Sequence, residues 1–158
     1  MRSDRQTKNE HLQQLAETYR KAGQEWPASA KMIAAWAIRE KLWQPQPRSM
    51  LRQCARELAE ALRAEYYTDP QGRRVRTKHA IKDVREEQLV LWVDVFDASP
   101  EQMQAAFQLR RHQIVGDCKQ LKADVDSYNE NQNRGDAIQM VFDFRYDLEE
   151  LEQAAMAQ

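Results

Sequence analysis

The residues whose type and spacing suggest chemistry are cations: Arg48, Arg52, Arg56, Arg63, Arg73, Arg74, Arg76 and Lys78, all within one stretch of the chain. Clustered arginines are suited to phosphate, because each contact neutralises a backbone charge and releases condensed counterions. Nothing else in the sequence has the form of a reaction centre. No Walker loop, GxGxxG, GxSxG, HExxH or zinc-finger spacing occurs, and four glycines leave little to cradle a nucleotide phosphate. His11, His79 and His112 lie far apart in sequence and read as surface or core histidines, not ligands. Asp94 and Asp97, with Glu86 and Glu87, have the chemistry of a magnesium-dependent nuclease, since phosphodiester hydrolysis uses clustered carboxylates. They also flank an apolar run, where acidic residues ordinarily form its solvated edge. Arg134-Gly135-Asp136 spells an adhesion tripeptide by accident, because the Asp reads better as a helix cap. The expectation is a non-enzymatic protein with no cofactor and no metal.

Charge distribution supports the phosphate reading. Residues 1–82 carry 17 Lys and Arg against 9 Asp and Glu, a net of +8, whereas residues 83–158 carry 7 against 16, a net of -9. Such asymmetry points to a polyanion partner at the basic end. The alternative is that the two halves attract each other, within a chain or between copies. The first residues, MRSDRQTKNEH, lack an apolar signal core, and no stretch approaches the roughly 18 apolar residues of a membrane span, so a cytoplasmic protein is expected. Cys54 and Cys118 lie on apolar stripes outside any CxxC pair and are expected as buried, reduced thiols.

These cations must be positioned by helices and one hairpin. Ser3 can cap a first helix carrying Leu12, Leu15, Ala16, Tyr19 and Ala22, with Gly23 at its end. A second helix is expected from Ala28 to Trp43, stopped by Gln44-Pro45-Gln46-Pro47. Ser49 offers the cap of a third, in which Leu51, Ala55, Leu58 and Leu62 form a stripe at the spacing of a buried face. Arg52, Arg56 and Arg63 then share one flank, away from Glu57 and Glu60. Trp26, Trp36, Trp43 and Trp92 are expected as core anchors.

Tyr66-Tyr67-Thr68, Asp69-Pro70-Gln71-Gly72 and the cationic segment from Arg73 to Lys78 read as a hairpin, with strands near 65–68 and 73–77 and Gly72 closing the turn. So charged a strand must be an exposed ribbon, with Tyr66 and Tyr67 on opposite faces. Three helices followed by a basic hairpin resemble the winged helix–turn–helix superfamily over residues 5–82. The resemblance implies a recognition helix carrying Ser49, Arg52, Arg56 and Arg63, and a wing carrying Arg73, Arg74, Arg76 and Lys78. The connection through Pro45 and Pro47 is longer and stiffer than that superfamily's usual turn.

Residues 83–98 read as a linker or a packed extended segment, although the apolar run from Leu89 to Phe96 suits either strand or helix. Ser99-Pro100-Glu101-Gln102 starts a helix of about 30 residues, roughly 45 Å long. Met103, Phe107, Ile114, Cys118, Leu121, Val125 and Tyr128 mark its stripe, and Arg110 sits within that stripe, where an acidic partner is expected. Asp136 with Gln139 has the form of a capping box for a last helix bearing Ala137, Val141, Phe144, Leu148, Leu151 and Ala155. Ile138, Met140, Phe142 and Phe144 also alternate as a strand would, but the cap and heptad favour helix.

The expected architecture is therefore mainly α: a winged-helix-like domain with one β-hairpin over 1–82, the segment 83–98, and an acidic antiparallel helical hairpin over 99–158. That last pair would close within one chain or across a homodimer, through Phe107, Ile114, Leu121, Val125, Val141, Phe144, Leu148 and Leu151. The function expected is regulatory or architectural binding of nucleic acid, duplex DNA foremost, without a membrane partner. The alternative is an assembly or adaptor protein whose basic and acidic halves join other proteins.

Overall fold

A computed structural model describes residues 2–45, 49–86 and 89–157, with the backbone alone described for residues 2–7. The described residues are mainly helical: α1 (Arg2–Lys21), α2 (Ala30–Arg39), α3 (Met50–Arg63), α4 (Pro100–Asn131) and α5 (Arg145–Met156). Two small antiparallel sheets complete them, β1 (Tyr66–Thr68) with β2 (Arg74–Arg76) and β3 (Lys78–Lys82) with β4 (Val90–Asp94). None of the described helices is long and apolar enough to cross a membrane. The chain divides into two units, Met1–Leu58 and Ala59–Gln158.

In the first unit, Leu15 and Tyr19 of α1 pack on Trp36 and Ala37 of α2, with Ala28, Ile33 and Trp43 around them. The rings of Tyr19 and Trp36 meet edge to face at 5.5 Å, the arrangement that aromatic quadrupoles favour. Gly23 ends α1 at φ +72°, and Ser29 caps α2 by accepting from the Met32 N–H at 3.1 Å. Trp36 is the core anchor here, and Trp43 is half-buried beside it; Trp26 is half exposed, with the Arg20 guanidinium 4.7 Å from its ring centre.

Three expectations for this region fail. α1 already includes Ser3, so that residue is not its cap. α2 stops four residues short of Trp43, because Lys41 turns to φ +57° and the Leu42 N–H returns to the Ala37 carbonyl. A lysine in the left-handed region carries no glycine to announce it. The stripe of α3 is not a buried face: Leu51 is 81% exposed, and Ala55, Leu58 and Cys54 are exposed with it. Helical periodicity states which side of a helix needs cover without supplying the cover.

In the second unit, Asp69 organises the first hairpin's turn. Its carboxylate accepts from the Gln71 and Arg73 N–H groups at 3.0 and 2.8 Å, and Gly72 takes φ +82°. Tyr66 lies opposite Arg76, Tyr67 opposite Val75 and Thr68 opposite Arg74. The tyrosines face opposite ways, as strand geometry demands. Tyr67 is half-buried, its ring 4.8 Å from that of Phe96, and Tyr66 is the exposed one.

The second hairpin was not expected. Residues 90–94 are extended as β4, but that strand pairs with β3, joining residues on either side of position 82. Thr77 links the sheets: its N–H donates to the Glu65 carbonyl, and its carbonyl accepts from the Val95 N–H. Thr77 is buried, so two short ladders share one satisfied backbone unit. Helix α4 packs on β3, with Ala106 buried and the ring of Phe107 edge-on to buried His79 at 5.4 Å.

Ser99 starts α4 with a complete capping box, accepting from the Gln102 N–H at 3.2 Å while Gln102 Oε1 accepts from the Ser99 N–H at 2.9 Å. Its 32 residues give about 48 Å of helix. Cys118 on this helix is only partly buried, and both cysteines are free thiols. The capping box proposed at Asp136 does not form, and residues 137–144 are not helical. Asn129 explains this. Its side chain donates to the Ile138 carbonyl at 2.8 Å and accepts from the Ile138 N–H at 2.9 Å, while Asn133 Nδ2 donates to the Asp136 carbonyl at 2.9 Å. Those side-chain bonds compete for the backbone groups a helix would use. α5 begins only at Arg145 and does not lie along α4, so no helical hairpin closes within the described chain.

Candidate nucleic-acid interface

The expected cations separate into neutralised and unneutralised groups. Arg73, at the turn, donates from Nε to Asp69 Oδ2 at 2.7 Å, and the Arg73 backbone N–H bond, followed by this side-chain contact, holds the Asp69 carboxyl below its ordinary range. Lys78 opens β3 rather than closing β2. Its Nζ reaches Asp94 at 2.7 Å and Glu65 at 3.3 Å, contacts that raise the lysine and lower Asp94 relative to their ordinary pKa values. Asp94 also accepts from the Phe96 N–H at 3.0 Å, so its carboxylate is occupied in structural contacts. Among the described residues, no group of three or more His, Cys, Asp or Glu is placed to hold a metal ion.

Arg74 and Arg76 behave differently. Both project from the same side of β2 toward Tyr66, with guanidinium carbons 4.3 and 6.0 Å from its ring centre. Arg110, from α4, adds its charge to the same place. The Tyr66 phenol is consequently pushed below its ordinary pKa, first by its hydrogen bond with Arg76 and then by the charges of Arg76, Arg74 and Arg110. None of the three arginines has a carboxylate partner among the described residues. The acidic partner expected for Arg110 is therefore not found there.

Beneath these cations lies an open groove of about 390 Å³ between the first hairpin and α4. Tyr66, Arg74, Arg76 and Arg110 line it, with Asp69 held by Arg73, and Val75, Val95 and Phe107 add apolar surface. His79 stands at its base, donating from Nε2 to the Arg76 carbonyl at 3.0 Å, which fixes the strand that carries two of the arginines.

Of the remaining expected contacts, Arg48 lies outside the described residues. Ser49 immediately precedes α3, and Arg52 and Arg56 are exposed on that helix in the first unit. Arg63, in the second unit, sits 5.6 Å from the ring centre of half-buried Trp92. Phe107, expected at a dimer interface, lines the groove. Ile114, Leu121, Val141, Phe144, Leu148 and Leu151 are exposed, and Val125 is half-buried. Arg110 and His79 are the site residues that sequence reasoning missed. The usable signal for Arg110 was its anomaly, a charge in an otherwise apolar stripe.

No protein-family model, curated protein or solved structure matches the chain.

Proposed function

We propose that this protein binds nucleic acid without catalysing a reaction on it, as a regulatory or architectural factor. The observation that carries the reading is the trio Arg74, Arg76 and Arg110 gathered around Tyr66, none of which forms an ion pair among the described residues, the nearby Asp69 being taken up by Arg73. Concentrated positive charge beside an aromatic ring suits a phosphate backbone. Arg52 and Arg56 of α3, in the first unit, are proposed as phosphate contacts in their own right. In the winged-helix comparison the first hairpin is the wing and α3 the recognition helix. The paired cations Arg73 and Lys78 contribute less, because binding phosphate through them requires breaking existing ion pairs.

The test is the salt dependence of DNA binding. Replacing Arg74 and Arg76 by Ala flattens the log–log slope by about one to two units, since each contact contributes about -0.9 on duplex DNA. Replacing Arg73 and Lys78 changes it less. No binding at low salt overturns the proposal.

A second reading, assembly through homodimer contacts, is favoured by the apolar side chains left exposed on α5 and before it. Val141 is 78% exposed, and Phe144, Leu148 and Leu151 are exposed as well. Loss of the nucleic-acid reading would leave those side chains as the principal candidate surface.

A further inference from the structure

Resting on the nucleic-acid reading, we infer that the groove between the first hairpin and α4 receives one unstacked nucleotide of a single strand, its base against the Phe107 wall and its phosphate among Arg74, Arg76 and Arg110. A convex, purely cationic ribbon would suffice for duplex backbone. This surface is concave, and it combines charge with apolar area that a duplex cannot use, because duplex bases are stacked inside the helix and must be extruded to be reached. The groove's 390 Å³ falls within the range of sites that enclose a small organic group.

Phe107 is the informative residue. It is 54% exposed although it packs edge-on against buried His79, so its position is supported from one side while much of its surface remains open. The Arg74 guanidinium, which also lines the groove, is held over Tyr66, and a guanidinium plane stacks on bases as aromatic rings do. Arg110 projects from a different element than Arg74 and Arg76, so positive charge borders the groove from both β2 and α4, while Asp69, the one carboxylate lining it among the described residues, is paired with Arg73. The depressed Tyr66 phenol pKa registers that same positive potential. Charge complementarity therefore selects an anion, and the Phe107 wall selects one attached to a flat apolar group.

The experiment uses the full chain and fluorescence anisotropy with a labelled oligothymidine, a duplex of matched strand length, and unlabelled thymidine monophosphate and phosphotyrosine peptide as competitors. The expected result is tighter binding of the single strand by about tenfold or more, the scale of one base stacked on an aromatic side chain. Phe107→Ala reduces single-strand affinity by about fivefold or more while leaving duplex affinity nearly unchanged, and Arg110→Gln lowers both, with the larger loss on the single strand. Arg110→Gln alters only an exposed helix position, so it keeps the test valid if Phe107→Ala unfolds the protein. Equal affinity for both forms, with variants that change neither or both alike, overturns the single-nucleotide site while leaving salt-dependent nucleic-acid binding intact. Stronger displacement by the phosphopeptide than by the mononucleotide also overturns it, in favour of a protein ligand. Failure to bind either nucleic acid at low salt overturns both readings.

Discussion

The two hairpins of the second unit use their charges in opposite ways. In the first, the turn consumes Arg73 through Asp69 and leaves Arg74 and Arg76 over Tyr66 without carboxylate partners among the described residues. In the second, Lys78 is held by Asp94 across the strand pair and by Glu65, and α4 packs on β3. The hairpins are joined through the single residue Thr77, yet one directs charge outward and the other neutralises it within the fold. The lesson is that cations in one sequence cluster are not equivalent: the nearest carboxylate decides which of them remains available to a ligand.

The largest effect should come from breaking the support of the second hairpin. Ala106 is buried on α4, and Ala106→Leu adds volume where neighbours have little room, so it should cost about 1–3 kcal/mol in denaturant unfolding. Hydrogen exchange should then accelerate first in residues 78–82 and 90–94. Equal acceleration in residues 66–68 would erase the distinction between the hairpins.

A smaller effect should follow in the first hairpin from Gly72→Val. A β-branched residue at φ +82° should cost about 1–2 kcal/mol, with loss of the Asp69-centred turn and weaker oligonucleotide binding through Arg74 and Arg76. Unchanged binding would show that the turn does not position these arginines.

The smallest effect sharpens the electrostatic half of the comparison. Because the folded-state Asp94 pKa is lowered, its ion pair stabilises the protein at neutral pH and is lost as pH falls through that depressed value, below the usual Asp value near about 3.9. Lys78 is raised, so its share persists below its ordinary pKa and is lost only as pH rises through the higher folded value. Asp94→Asn should lower Tm at neutral pH, and the difference from the parent should close on acidification. A constant difference across that range would show that the side chain acts by packing alone.

Elements set by local chemistry were legible in the sequence. Ser99-Pro100 announced α4, Asp69 and Gly72 announced the first hairpin, and strand alternation placed Tyr66 and Tyr67 on opposite faces, because caps, turns and pleats depend on residues a few positions apart. The same periodicity misled where cover was needed. The stripe of α3 predicted a buried face but not its partner, and the heptad through Val141 and Phe144 implied helix where Asn129 holds the Ile138 backbone.

Pairings between distant residues were decided only by tertiary structure. β3 meets β4 eight or more positions away, Lys78 meets Asp94, and Arg110 of α4 arrives beside Tyr66, contacts that local pattern does not encode. The sequence alone determined which residues carry positive charge and which segments turn or coil. Folding determined which charges are cancelled, since Coulomb attraction depends on distance in space and the chain separates partners by 16 positions for Lys78 and Asp94.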